Sequence, residues 1–235
     1  MENIHKTFMK LKKVRRNIYG FRSYIPWLRE KHRLEAMVGP LGYWNALQTY
    51  QLNVLKSNGL EPHHTLLDIG CGPLQGGIAF IRYLERGNYF GIDKDKHRLE
   101  AGEKHLIKKN LAAKKPFLKI SNSFSLEELD GKMFDFMWAS QVLYYFDNDI
   151  LRSLMKTISS KLKISGKFLG DIIGPKHFVF KTKEYKWILH SVESISEIAK
   201  EFNLNVKNLG EIEQYGYPKR LALKSNLLLE ITKMN

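Results

Sequence analysis

Two carboxylates and a run of glycines mark the chemistry this chain could do. Asp68 stands two residues before Gly70 in the run LLDIGCGPLQGG, and Gly72, Gly76 and Gly77 follow. Twenty-five residues beyond Asp68, the run NYFGID ends on Asp93. Glycines let the main chain turn sharply without Cβ clashes, so such a loop brings backbone N–H groups and a helix N-terminus close to a ligand. The spacing Gly70, Gly72, Gly76 is one residue longer than the G-x-G-x-x-G of dinucleotide-binding folds. A carboxylate beside the turn would repel a pyrophosphate and favour a cationic or amine-bearing ligand. An acid after a second strand can accept both hydroxyls of a ribose. Together these residues describe a site for an adenosyl cofactor without phosphates. A glycine turn alone would fit a phosphate loop or a plain strand–turn–helix equally well.

The elements around the loop fit that chemistry. Leu66 to Ile69 read as a buried strand, and QGGIAFIRYLERG as a helix with Ile78, Ile81 and Leu84 on one face and a stop at Gly87. Upstream, a helix from Pro40 to Gly59 turns Trp44, Leu47, Tyr50 or Gln51, Val54 and Leu55 inward. Downstream come a charged helix around HRLEAGEKHLIKKN and a strand, PFLKIS, which leads into Ser121-Asn122-Ser123-Phe124. A strand FDFMWA then opens into Ser140-Gln141-Val142-Leu143-Tyr144-Tyr145-Phe146. A helix over about 149–162, with Ile150, Leu151, Leu154 and Ile158 inward, precedes the strand KFLGDII. The basic, aromatic run KHFVFKTKEYKWILH has no regular period, and it is followed by a helix VESISEIAKEF and two strand-like runs, NVKNLGEI and NLLLEITK. His63 and His64 sit in a loop, without further ligands at metal spacing, and are read as solvated.

Asp68-Ile69-Gly70-Cys71-Gly72-Pro73 and the later Asp93 resemble the first two motifs of the class I S-adenosylmethionine-dependent methyltransferases. The similarity runs from about Gly59 to the C-terminus and weakens after Gly174. Within that superfamily, the run resembles a bacterial subgroup of small enzymes associated with surface polysaccharide or lipid modification. The resemblance implies an α/β fold: a three-layer, doubly wound, seven-stranded, mostly parallel sheet of order 3-2-1-4-5-7-6, with strand 7 antiparallel. Residues 1–39 would form an N-terminal helical extension and residues 40–235 the methyltransferase domain. It also implies S-adenosyl-L-methionine as cofactor, held by Asp68, Gly70, Cys71, Gly72, Pro73, Gly76, Asp93 and Lys94. Asn122 would accept from the adenine amine with Phe124 against the ring, although an Asx turn would explain Asn122 as well. Ser140 and Gln141 would face the methionine half, and Tyr43 and Trp44 the substrate, or else serve as ordinary core aromatics.

Catalytic candidates are Tyr144, Tyr145 and His177, the last because an unperturbed imidazole titrates near neutrality. A lone histidine in a basic loop also fits an exposed or structural role. Many relatives carry a histidine at or beside Tyr144 or Tyr145, and this chain has none there. Its sequence also lacks the Asp/Asn-Pro-Pro-aromatic motif of many amino methyltransferases. It has a single cysteine, which excludes the paired cysteines of cytosine-C5 RNA enzymes, and it has Ala139-Ser140 where metal-dependent catechol-type enzymes carry an acid. No metal is implied.

Composition sets the remaining bounds. The 235 residues, 43% of them hydrophobic, are enough for one α/β domain plus an extension. The single cysteine, Cys71, excludes an internal disulfide, suits a reducing cytoplasm, and reads as a small spacer in the loop. No apolar run is long enough to span a membrane, and the first thirty residues are too charged for a secretory signal. Of the net charge of +14, more than half falls within residues 1–33, where ten lysines and arginines face Glu2 and Glu30. Ile4, Phe8, Leu11, Ile18 and Phe21 recur there at helical spacing. That segment could cap the core, lie on an anionic membrane at the inner face, or, third in rank, contact nucleic-acid phosphates. Within these bounds the resemblance implies methylation of a hydroxyl on a small-molecule, glycan or lipid-linked acceptor. The alternatives are an RNA methyltransferase and a cofactor-binding or membrane-associated protein without turnover.

Overall fold

The fold is that of a computed structural model, which describes residues 30–39, 41–122, 126, 129, 131–174, 187–222 and 226–234. The expected amphipathic helix over residues 4–21, with its membrane or nucleic-acid contacts, lies outside the described residues. The chain divides into two compact units, 1–45 and 46–235. In the first, helix α1 (Glu30–Val38) carries Glu35, whose Oε1 accepts the Trp44 backbone N–H at 3.0 Å. Tyr43 and Trp44 belong to this unit; Trp44 is buried and Tyr43 half-buried.

The second unit is built on seven strands: β1 (Leu66–Ile69), β2 (Tyr89–Asp93), β3 (Phe117–Ile120), β4 (Phe134–Ala139), β5 (Leu162–Ile173), β6 (Leu204–Glu211) and β7 (Asn226–Lys233). Their order is β3-β2-β1-β4-β5-β7-β6, and β7 runs antiparallel to both of its neighbours. This is the expected topology. Central parallel strands are covered on both faces, which explains why β1 and β2 are buried at every position.

Side-chain alternation separates the two faces. Leu67 and Ile69 stand beside Phe90, Ile92 and Met137 in the main apolar core, which takes Leu151, Leu154, Met155 and Ile158 from helix α5 (Asn148–Lys161) and Ile195 and Ile198 from α6 (Val192–Lys200). Asp68, Tyr89, Gly91 and Trp138 have the opposite parity, and the Trp138 indole donates to Gln51 of α2 (Trp44–Ser57) at 3.1 Å. Helices α3 (Gly77–Tyr83) and α4 (Lys96–Lys108) complete the connections.

Helix boundaries follow their caps. Helix α2 closes in a Schellman turn: Leu60 N–H reaches Leu55 O and Gly59 N–H reaches Lys56 O, with Gly59 at φ +102°. Asp95, Asp147 and Ser191 cap α4, α5 and α6 with side-chain oxygens. Three expectations need correction. Ile150 is exposed, because it lies in the first turn of α5, off the stripe formed by Leu151, Leu154, Met155 and Ile158. Helix α3 stops at Tyr83, four residues short of Gly87, where Leu84 turns extended. His64 is also less solvated than its loop suggested: it is half-buried, its Nδ1 accepts the Glu61 N–H at 3.0 Å, and its ring packs on Phe136.

Candidate active site

Four parallel strands, β1, β2, β3 and β4, deliver their carboxyl ends to one edge of the sheet, where open α/β folds bind ligands. The first turn there is shaped by its glycines. Gly70 and Gly72 have φ of +75° and +52°. The N–H groups of Gly70 and Cys71 both bond to Ile92 O, which fastens the turn to the end of β2. A Cβ on Gly70 would lie 2.7 Å from Val142 Cγ2, so glycine is needed there for conformation and for space.

Asp93 joins two loops. One carboxylate oxygen accepts the Gly72 N–H at 2.8 Å and the other accepts the Asp95 N–H at 2.8 Å. A carboxylate has about four lone-pair positions, so each oxygen keeps one for a hydroxyl donor such as a ribose. Cys71 is buried, its thiol pushed well up by burial and by Asp68 and Asp93. Pro73 is buried too, with its main chain against Gly102 of α4.

Asp68 is 4% exposed and accepts the Tyr89 hydroxyl at 2.6 Å. Burial raises its pKa to about 7, the Tyr89 hydrogen bond acts against that rise, and the nearby Asp93 adds to it. An ammonium or sulfonium brought close would favour the ionised form, so these residues fit the cationic half of the expected cofactor.

Gly76 serves packing. Its backbone is helical (φ −77°), and a Cβ there would meet the Gln51 amide, with Cδ at 2.9 Å, and the Phe80 ring at 3.0 Å. Of the remaining cofactor candidates, Lys94 and Asn122 are exposed after β2 and β3, and the Ser121 N–H beside Asn122 donates to Asp93 O at 3.0 Å. Phe124 and His177 lie outside the described residues.

At the end of β4, Gln141 adopts φ +59° and turns toward Asp171 of β5. Its backbone N–H donates to Asp171 Oδ1 at 2.7 Å, its amide nitrogen donates to Oδ2, and the Ser140 hydroxyl also bonds Asp171. Asp171 is fully buried, and desolvation raises its pKa to about 6 against those hydrogen bonds. Gln141 Oε1 in turn accepts the hydroxyls of Tyr144 at 3.4 Å and Tyr217 at 3.3 Å. Tyr50 of α2 meets the Tyr217 ring edge-on at 5.1 Å. Tyr144 is buried between the rings of Tyr145 and Trp187, while Tyr145 is 39% exposed. The sequence reading singled out neither Asp171 nor Tyr217. The signal for Asp171 was present: a lone acid near the end of an otherwise apolar strand has to be paired. Tyr217 had none, because its loop is distant in sequence.

Among the described residues no group of three or more His, Cys, Asp or Glu side chains could hold a metal ion, and no helix is long and apolar enough to cross a membrane.

Residues 67–168 match the model of the methyltransferase domain family. The domain match marks a methyltransferase over that stretch, and the sheet order is that of the class I S-adenosylmethionine-dependent methyltransferase fold. Solved structures share the fold. One is an S-adenosylmethionine-dependent methyltransferase from Clostridium acetobutylicum, 16% identical, covering 82% of this chain and 92% of its own, with a TM-score of 0.62. A second is the magnesium protoporphyrin IX methyltransferase of Synechocystis with bound SAH, 12% identical over 94% of this chain and 99% of its own, TM-score 0.63. A third is a glycopeptide N-methyltransferase complexed with sinefungin, 13% identical over 79% and 93%, TM-score 0.61. No curated protein sequence matches the chain.

Proposed function

We propose that the protein O-methylates a hydroxyl of a small-molecule, glycan or lipid-linked acceptor. The observation that carries this reading is the corner after β4 and β5, where phenols and an amide surround a buried carboxylate. Such a corner offers neutral hydrogen-bonding partners to a hydroxyl and repels phosphate or carboxylate groups. When bound, S-adenosylmethionine supplies an electrophilic methyl group on a sulfonium sulfur. Asp93 accepts the ribose hydroxyls on its free lone pairs, the Gly70–Gly72 turn lines the cofactor's path, and Asp68 favours its cationic half. Asn122 receives the adenine amine. Tyr144 and Tyr145 border the acceptor, and His177 is the candidate base. The protein's own contribution is alignment and exclusion of water.

The test is methyl transfer from labelled cofactor into fractionated lipid, glycan and RNA extracts. Label in an alkali-stable ether of a lipid or glycan fraction is the expected result. Label confined to RNA would replace this reading with the RNA methyltransferase, and no label in any fraction, with SAH still bound, would point to a binding protein without turnover.

A further inference from the structure

The chain from Asp171 through Gln141 to Tyr144 and Tyr217 has a direction. An ionised carboxylate only accepts hydrogen bonds, so the Gln141 amide must present its nitrogen to Asp171 and its oxygen to the phenols. Each phenol has one hydrogen: that of Tyr217 points at Gln141 Oε1, and that of Tyr144 is shared between Gln141 Oε1 and the neighbouring Tyr145 hydroxyl. The lone pairs of Tyr144 and Tyr217 therefore face away from Gln141 as acceptors. The O···O distances of 3.4 and 3.3 Å are long for hydroxyl donors, so these two bonds to Gln141 are weak.

The backbone supports the same arrangement. Gln141 is not glycine, yet it holds φ +59°, an uncommon conformation that aims both its N–H groups at one carboxylate. We infer that Asp171 is a positioning residue: by fixing the orientation of the Gln141 amide it makes Tyr144 and Tyr217 hydrogen-bond acceptors, so that this corner selects acceptors through an O–H or N–H donor. This rests on the methyltransferase reading of the site.

Among the described residues, the titratable groups that feel the charge of Asp171 are Tyr50 from α2, Tyr144 after β4 and Tyr217 before β7. All three are neutral near pH 7, their phenols pushed up first by burial and also by Asp171. Protonating Asp171 frees the amide to reverse, because a carboxylic acid can donate as well as accept. Selection should therefore weaken as pH falls through about 6.

The decisive measurement is infrared spectroscopy of full-length protein carrying 13C-tyrosine, since the phenol carbon–oxygen stretch separates a hydroxyl that donates from one that accepts. Difference spectra against Tyr144→Phe and Tyr217→Phe assign the two bands. At pH 8 both should report donation in the wild type. Asp171→Asn, whose amide can donate to Gln141, should move both toward acceptance, and Asp171→Glu should restore them in part. Unmoved bands in Asp171→Asn would overturn the inference. In parallel, Asp171→Asn should bind SAH within about twofold of wild type by calorimetry and lose roughly tenfold in kcat/KM for label entering hydroxyl-bearing extract fractions. The wild-type rate should rise with pH through about 6, and the variant's profile should be flat. Shifted bands with unchanged transfer and pH profile would also overturn the role in selection. If the wild type neither binds SAH nor transfers label, the methyltransferase reading fails, while the infrared comparison still decides the direction of the chain.

Discussion

Replacing Gly76 by alanine tests how the cofactor turn is supported. Because Gly76 already has helical φ and ψ, an alanine there meets no backbone penalty, and any cost must come from its methyl group. That methyl would collide with the Gln51 amide and the Phe80 ring, both buried. Gln51 Oε1 is the acceptor of the buried Trp138 indole N–H. Pushing Gln51 aside leaves that donor unsatisfied, which costs about 1–3 kcal/mol, and overpacking costs a further 1–3 kcal/mol or so. Some of this overlaps, so the expected loss is roughly 2–4 kcal/mol, a large share of the 5–15 kcal/mol or so typical of a domain. Urea denaturation followed by tryptophan fluorescence measures it, and Tm should fall by roughly 5–15 °C. The control is the same substitution in a Gln51→Ala background. With the amide gone, Gly76→Ala should cost at least about 1 kcal/mol less, the Phe80 contact at 3.0 Å being the part that remains. Equal losses in the two backgrounds would refute the packing argument and return Gly76 to a direct role at the ligand.

Asp93→Ala should weaken SAH binding about ten- to a hundredfold, from the loss of charged hydrogen bonds worth roughly 1.5–3 kcal/mol. It should lower Tm as well, since the Gly72 and Asp95 N–H groups lose their acceptor; calorimetry showing unchanged affinity would remove Asp93 from the site. Asp68 keeps its proton in the fold up to a pH of about 7, whereas a free aspartate loses it near 3.8. Its contribution to stability is therefore complete below about pH 4 and declines as pH rises through 7. Asp68→Asn should flatten that decline in a series of melts from pH 4 to 8.5, and a parallel decline in the variant would count against burial as the cause. Asp147→Ala removes the cap of α5, in which Asp147 accepts the Ile150 N–H, and should cost about 1 kcal/mol in urea melts with SAH affinity unaltered.

The glycine turn and its two acids could be read from sequence because the signal is local: residue types at fixed offsets define a strand, a turn and a helix. The strand order came from resemblance, and the sheet has it. What the sequence hid were contacts made across the fold. Gly76 reads as part of the ligand loop until Gln51, twenty-five residues earlier, is seen in its place. Gln141 reads as facing the cofactor from its position after β4, and nothing in the sequence shows that its side chain also bonds Asp171, thirty residues later. Ile150 reads as the start of the inward stripe of Leu151, Leu154 and Ile158, all of which are buried, and only packing shows that the stripe begins one residue later. The assignments of Tyr144 and Tyr145 depend on what borders them, which spacing does not encode.

Cys71 gives the protein a reporter of its own. It is the chain's single cysteine, and its sulfur is close enough to Gly91 that a Cβ there would lie 3.0 Å away. Its thiol is both covered and held protonated, so a thiol reagent can react only when the turn lifts away from β2. The rate of alkylation therefore measures the opening of this turn, at one atom and without any added label. A ligand seated on Asp93 and Gly72 would have to leave, or loosen, before that chemistry could proceed. Protection of a single sulfur thus becomes a binding assay that needs no knowledge of the acceptor.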